Sequence, residues 1–277
     1  MVVFVAMITA IGWVVSYFFG NTSITWWVLA GALLYALIQY FAAAKLAVAM
    51  TGAQEIQKSD NPRLYRTVEN LSITLGMPMP KVYIINDPAP NAFATGRNPQ
   101  HAVVAATTGL LDIMNDRELE AVMAHEMGHV QNYDIRVSMI AFGLVSAIGI
   151  LSDIVMHMFF FSGDRRESGN NVFVLIIGVV VLILAPIIAA IIQMAISRQR
   201  EYLADATGAL TTRDSEGMAS ALGKLQDYGR PMQKQQSATA QLFISEPLQP
   251  SFFSKLFSSH PPLEDRIKRL RENAEKF

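Results

Sequence analysis

The first 44 residues contain no Asp, Glu, Lys, Arg or His. Two apolar stretches lie within them, from Val2 to Gly20 and from Ile24 to Ala44, and the polar triplet at 21–23 separates the two. Because about 20 apolar residues cross a bilayer as a helix, each stretch is long enough to span a membrane. We predict a transmembrane helical hairpin over residues 1–44. A cleaved signal peptide is the alternative for the first stretch, but it would require a basic region ahead of the apolar residues.

Two more apolar stretches run from Met139 to Phe161 and from Val172 to Met194. The polar loop SGDRRESGNN joins them, which predicts a second hairpin over residues 139–196. Asp153 and His157 lie four residues apart in the third stretch, so they share one helical face. We expect them to pair near the membrane surface beside the loop; a polar site within the membrane is the alternative.

Four full crossings would put the polar segments 45–138 and 197–277 on the same side of the membrane. Basic residues follow the second and fourth stretches: Lys45, Lys58, Arg63, Arg66, Arg198 and Arg200. Since basic flanks favour the cytoplasmic side, we predict that both segments face the cytoplasm. Arg165 and Arg166 in the opposite loop work against this orientation.

The composition agrees with a membrane protein, because 52% of the 277 residues are hydrophobic and 16% are charged. No long basic run or aromatic-laced basic stripe is present, so nucleic acid is not an expected partner. The chain has no cysteine, and any metal must therefore be held by histidine and carboxylate side chains.

The first polar segment has the pattern of a small α/β unit. Asn61 and Pro62 form a good helix start, and the helix should run to about Leu75 and Gly76. Short strands are predicted at 81–85, 92–95 and 102–106, where β-branched, aromatic and small residues lie between turn residues. The expected fold is mainly α with a small β-sheet, anchored by about four transmembrane helices.

A second helix of this segment begins at Asn115, with Glu118 three residues later in capping-box spacing, and should continue to Arg136. It contains the string HEMGH, so His125 and His129 project from one face about one turn apart. This spacing lets two imidazoles bind one metal ion. The alternative is a pair of histidines that only pack and hydrogen-bond.

Catalytic zinc commonly takes three protein ligands and leaves a fourth position open. Glu201 is the best third ligand, because it lies on a predicted helix after the fourth apolar stretch with Asp205 four residues further on. Asp205 would then accept the free N–H of a zinc-bound histidine. Glu126, next to His125, would be the general base. The alternative for Glu201 and Asp205 is simple pairing with nearby arginines on a solvated face.

The chain resembles the HtpX membrane metalloproteases over nearly its whole length, and more distantly the CAAX prenyl proteases. The resemblance rests on five motifs in order: GAQEI at 52–56, PNAFATG at 90–96, ELEAVMAHEMGHVQNYD at 118–134, EYLAD at 201–205 and SSHPPLEDRI at 258–267. It implies a zincin-like domain in two parts, 45–138 and 197–277, with one Zn²⁺ per chain. It also implies an endopeptidase of membrane protein quality control, which cleaves misfolded or damaged membrane proteins. The expected location is the bacterial inner membrane, with the active site facing the cytoplasm.

The resemblance also implies roles for individual residues. His125, His129 and Glu201 match the zinc ligands, and Glu126 matches the catalytic glutamate. Five residues resemble an edge strand to which an extended peptide could add through exposed backbone groups: Asn91, Ala92, Phe93, Ala94 and Thr95. His260 and Arg266 resemble groups near the site that stabilise the oxyanion. The alternative for His260 is a turn cap before two prolines.

Two other classes of function are open to the sequence. A zinc-binding membrane scaffold would use the metal site without cleaving, although a carboxylate beside an open metal position has a clear use only in hydrolysis. A transporter would use Asp153 and His157 on an ion path, but no pair of broken helices supports it. The Gln-, Ser- and Pro-rich tail over 231–257 is expected to be either a flap over the site or a linker.

Overall fold

The computed structural model describes residues 2–143, 146, 198–235, 237–240, 242–245, 247 and 260–276. Most of the predicted second hairpin lies outside the described residues, and so do Asp153 and His157. Four transmembrane helices therefore remain a prediction. Contacts divide the chain into two compact units, with one boundary between Ala43 and Ala44.

The uncharged N-terminal stretch forms the two helices that its sequence predicts. Helix α1 covers Val2–Phe19 and α2 covers Ser23–Thr51, so α2 continues past Ala44. The turn between them uses a positive φ of 62° at Gly20. Among the described residues, α2 is the one helix long and apolar enough to cross a membrane, with a mean hydropathy of 1.7. Many of its large apolar side chains, such as Leu37 and Phe41, are more than half exposed, as expected for contact with lipid.

A four-stranded sheet forms part of the second unit. Its strands are β1 Gln54–Glu55, β2 Lys81–Ile85, β3 Ala92–Gly96 and β4 Ala102–Thr107, in the order β1-β2-β4-β3. The β2 and β4 strands are parallel, whereas the other two pairings are antiparallel. The three predicted strands are confirmed, and the two-residue β1 was too short to recognise. The topology leaves β3 at one edge of the sheet.

Helices pack around this sheet and begin at capping residues that the sequence predicts. The Asn61 side chain accepts the Leu64 N–H at the start of α3, Pro62–Thr74. After α4, Thr108–Ile113, the capping box of Asn115 and Glu118 starts α5, Asp116–Gln131. Most of α5 is buried, because it lies at the centre of the hydrophobic core.

Helix α5 ends earlier than predicted. It stops at Gln131 instead of continuing to Arg136, and the chain turns at Asn132 and Tyr133, where Tyr133 has a positive φ of 60°. Helical structure resumes as α6 over 134–143. A left-handed residue breaks the regular i to i−4 pattern, so the direction of the chain changes here. The turn brings Asp134 back toward His129.

Three longer helices from the C-terminal part of the chain belong to the second unit. They are α7 Arg198–Thr212, α8 Ser215–Tyr228 and α9 Leu263–Glu272. Helix α7 packs closely on α5, since a Cβ at Gly208 would lie 3.1 Å from the backbone nitrogen of His125. Glu118 joins α5 to α8 by accepting hydrogen bonds from Lys224 Nζ at 2.6 Å and Ser220 Oγ at 2.7 Å.

Candidate metal centre

Helices α5 and α7 bring the three predicted metal ligands together. His125 Nε2 and His129 Nε2 lie 3.2 Å apart. Glu201 Oε2 is 3.7 Å from His125 Nε2, and Glu201 Oε1 is 3.5 Å from His129 Nε2. One ligand atom from each residue lies within 4.8 Å of the other two, a spacing that a single metal ion can bridge.

An aspartate contacts the other nitrogen of each imidazole. His125 Nδ1 lies 3.0 Å from Asp205 Oδ1, which is the contact that the sequence predicts. His129 Nδ1 lies 3.1 Å from Asp134 Oδ2, and Arg200 Nη1 lies 3.3 Å from Asp134 Oδ1. A carboxylate at Nδ1 fixes the ring orientation and leaves Nε2 for a metal.

The role of Asp134 could not be predicted from the sequence pattern. In the predicted continuous helix, five residues would place Asp134 on a different face from His129. The turn at Tyr133 removes that separation. The available signal was the polar string Gln131-Asn132, which weakens the helix just before the aspartate.

Arg266 is fully buried and binds the acidic side of the site. Its Nε and Nη2 atoms donate to the two carboxylate oxygens of Asp205 at 2.8 and 2.6 Å. Its Nη1 atom lies 3.5 Å from Glu201 Oε2. Within the described part of the chain, Arg266 Nη1 and Glu201 Oε2 are buried without a hydrogen-bond partner. The guanidinium therefore positions both acids from the protein interior.

Electrostatics keep both acids ionised. Burial acts to raise the pKa of Glu201, but nearby positive charges, chiefly of His260 and His129, outweigh it and lower this pKa to about 2. Burial has the same effect on Asp205, where the charge and hydrogen bonds of Arg266 dominate and hold the pKa far below its usual range. The site thus presents anionic oxygen ligands at neutral pH.

The two histidines differ in their proton affinity. Burial lowers the pKa of His125 to about 4, despite its bond to Asp205. Burial also acts to lower the pKa of His129, but Asp134 and Glu201 raise it to about 9. Since the two rings lie 3.2 Å apart, protonating both would place like charges in contact. His125 accordingly stays neutral and offers a lone pair at Nε2.

Glu126 lies beside the ligands in a cleft of about 460 Å³, a volume that includes the open mouth. Its side chain is 2% exposed, and burial raises its pKa to about 7, although a backbone hydrogen bond with Ala94 of β3 opposes the rise. The cleft is lined by Ala94, Glu126, His129, Asp134, Ile135, Ser138, Arg200, Glu201, Leu242, Ile244 and His260.

His260 and Arg266, the two predicted oxyanion residues, differ in position. His260 lines the cleft, 17% of its side chain is exposed, and its Nε2 lies 3.8 Å from Glu201 Oε2. Burial lowers its pKa. Arg266 does not line the cleft, because Asp205 and Glu201 engage it in the interior. Its contacts favour positioning of these acids over direct contact with an oxyanion.

The predicted substrate strand lies at the edge of the sheet, but it is not exposed. Residues 91–95 are each at most 5% exposed, and Ala94 lines the cleft. The Ala92 carbonyl on this edge accepts the Ile244 N–H at 2.9 Å. Burial of the strand differs from the expectation, because a later segment of the chain covers its outer side.

The second unit is mainly helical with a small mixed sheet, and it carries two histidines and a buried glutamate on one helix and a second glutamate on another. These features define a metalloprotease. The chain belongs to peptidase family M48: residues 58–274 match the model of that family. The predicted resemblance to the HtpX proteases is confirmed by the relatives below.

A protease HtpX homolog of Tropheryma whipplei (strain Twist) is 60% identical over 243 residues, which are 88% of this chain and 83% of that protein. A protease HtpX homolog of Lactobacillus acidophilus is 45% identical over 280 residues, 98% of this chain and 94% of that protein. The crystal structure of S. mikatae Ste24p matches with a TM-score of 0.56 at 18% identity. The match covers 96% of this chain and 62% of Ste24p, so it concerns the fold alone.

Proposed function

We propose that this protein is a zinc-dependent endopeptidase that hydrolyses peptide bonds of misfolded or damaged membrane proteins. The observation that carries the proposal is the convergence of His125, His129 and Glu201 within 4.8 Å of one another, with Glu126 in the same cleft. A purely structural zinc site would be closed by a fourth protein ligand. Here a carboxylate with a raised pKa lies beside three ligands, as hydrolysis requires.

The residues at the site fit zinc. Asp205 and Asp134 contact the two Nδ1 atoms, so each imidazole would offer its Nε2 to the metal, and His129 would release its Nε2 proton on binding. Glu201 Oε2 is buried without a hydrogen-bond partner in the described chain, a costly arrangement that a cation would relieve. Two imidazole nitrogens and one carboxylate oxygen are a known ligand set of catalytic zinc. A bound zinc ion would polarise the substrate carbonyl and lower the pKa of the attacking water.

Glu126 performs the proton transfers. With a pKa of about 7, it is ionised in a substantial fraction of molecules at neutral pH and can take a proton from the attacking water. The water oxygen bonds to the peptide carbon, and the C–N bond breaks as Glu126 returns the proton to the leaving amine. No covalent acyl-enzyme forms, so no serine or cysteine nucleophile is needed.

His260 is the candidate donor for the developing oxyanion, since it lines the cleft near Glu201. Arg266 acts through other residues. Its two hydrogen bonds hold Asp205, the partner of the ligand His125, in place. Its proximity to Glu201 holds that ligand as well.

A candidate membrane span and the relatives of this chain support the proposal that its substrates are membrane proteins. Helix α2 has the length and composition of a span, and the relatives named above are bacterial proteases of the HtpX type. Extended polypeptide would add to the outer side of β3, where main-chain hydrogen bonds demand little of the substrate sequence. We place the protein in the bacterial cytoplasmic membrane as a multi-pass protein with its active site on the cytoplasmic side.

The test is cleavage of casein by the detergent-purified full chain, with zinc determination on each variant. We expect a chelator to abolish cleavage and Glu126→Gln to retain zinc but lose at least about 100-fold in kcat. Glu120→Gln is the matched control, because Glu120 is exposed on the same helix. Its activity should equal that of the unaltered protein.

Two outcomes would contradict the proposal. If Glu126→Gln cleaves as well as the Glu120→Gln control, Glu126 is not the base. If the unaltered protein holds zinc but cleaves neither casein nor a misfolded membrane protein, the zinc-binding scaffold becomes the better explanation.

A further inference from the structure

The segment Leu242–Ser245 pairs with the outer side of β3. Phe243 and Phe93 form an antiparallel bridge, and the Ile244 N–H donates to the Ala92 carbonyl at 2.9 Å. The Asn91 side chain extends the pairing. Its Oδ1 accepts the Ser245 N–H at 3.1 Å, and its Nδ2 donates to the Ser245 carbonyl at 2.9 Å. The segment thus uses backbone groups of the edge that an added strand would need.

The side chains of the segment alternate as those of a strand do. Leu242 and Ile244 line the catalytic cleft, whereas Phe243 packs edge-on against Phe93 with ring centroids 5.1 Å apart. These three side chains are at most 6% exposed. Two apolar side chains of the segment therefore line the same cleft as Glu126, His129 and Glu201.

We propose that Leu242–Ser245 is an internal competitor that holds the position of a substrate strand and must leave before a substrate binds. The proposal rests on the proposed function, because it assigns regulation to the same cleft. The segment and a substrate strand would lie along the same edge of β3, so the two exclude each other. The competitor also specifies the substrate class: extended polypeptide with apolar side chains at two positions separated by one residue, as at Leu242 and Ile244.

The attachment of the segment is small enough to be reversible. Within the described residues its backbone pairing with β3 is one bridge, whereas β3 and β4 pair over five residues on the other side. When a competing segment occupies a site about nine-tenths of the time, the apparent affinity for an external ligand falls about tenfold. Removal of one backbone donor should shift this balance measurably.

Binding is measured first, in full-length Glu126→Gln protein in detergent, with a labelled peptide TAQLFISEP that reproduces residues 239–247. Ile244→Pro removes the N–H that bonds Ala92, and we expect it to tighten peptide binding about tenfold. The matched control is Ser237→Pro, at the first position of the helical turn Ser237–Ala240, where proline is tolerated. Binding to the control should not change. Equal or weaker binding by a folded Ile244→Pro protein overturns the proposal.

A second measurement needs no altered segment. The same peptide, added to the unaltered enzyme, should raise the KM for casein without changing kcat, and a peptide N-methylated at the Ile244 nitrogen should inhibit at least about tenfold less. Equal inhibition by both peptides, or none by either, refutes the competitor. If no casein is cleaved at all, the proposed protease activity is contradicted. The binding measurement, which does not depend on cleavage, then decides whether Leu242–Ser245 competes with substrate.

Discussion

Arg266 offers the sharpest test of how the site is held together. Its guanidinium is fully buried and makes two hydrogen bonds to Asp205, which is itself 3% exposed. Arg266→Met would leave a buried carboxylate without its partner, a change that typically costs about 3–5 kcal/mol. A domain of this size loses about 2–4 °C in melting temperature per kcal/mol, so the expected shift is about 6–20 °C.

The assay is thermal unfolding of the detergent-solubilised protein, followed by intrinsic fluorescence. Arg271→Met is the matched control, because Arg271 lies on the same helix and its pair with Glu216 is exposed. We expect the control to melt almost unchanged. Adding Asp205→Asn to Arg266→Met should recover part of the loss, since no uncompensated carboxylate then remains. A melting temperature for Arg266→Met equal to that of the control would refute this account of the buried ion pair.

Three further predictions concern other parts of the molecule. Asp134→Asn should lower zinc affinity about 10- to 100-fold in a chelator competition, whereas Asp112→Asn on the surface should not; equal affinities would remove Asp134 from the site. Burial acts to raise the pKa of Glu118, but its hydrogen bonds outweigh burial and lower this pKa below the ordinary 4.5. Ionised Glu118 therefore stabilises the fold above pH 4.5, and this stabilisation is lost as the pH falls through the pKa of Glu118 in the folded protein. The stability gap between the unaltered protein and Glu118→Gln, measured by denaturant unfolding, should therefore narrow in acid; a gap independent of pH would contradict the assignment. Leu37→Arg at the middle of α2 should reduce retention in alkali-washed membranes, because arginine at the centre of a span costs about 2.5–3.5 kcal/mol; full retention would argue against α2 as a span.

The sequence predicted those features that depend on neighbouring residues. The apolar stretches gave α1 and α2, and the Asn115 capping box gave the start of α5. The four-residue spacing of His125 and His129 placed both imidazoles on one helical face, since helix geometry alone fixes that relation. Glu201 was predicted as the third ligand from its place on a later helix with Asp205 four residues further on, and the described geometry brings the three together.

Local pattern could not predict features that depend on a single backbone angle or on distant contacts. The positive φ at Tyr133 ends α5 and carries Asp134 to His129, whereas the sequence favoured a continuous helix. Arg266 was predicted near the oxyanion, but it is buried and bonds to Asp205, 61 residues away in the sequence. Asp205 in turn contacts the metal ligand His125. The position of Arg266 follows from how α9 packs on α7.

The outer side of β3 shows the same difference between what local sequence predicts and what distant contacts decide. Composition and turn residues were enough to predict a strand at 92–95, because strand formation follows from local preference. What covers its edge was decided by pairing with Ser245, 154 residues from Asn91. Sequence spacing carries no information about which part of the C-terminal tail will return to a particular edge. Only the closure of that long loop, stabilised by burial of Phe243 and its neighbours, selects the occupant of the cleft.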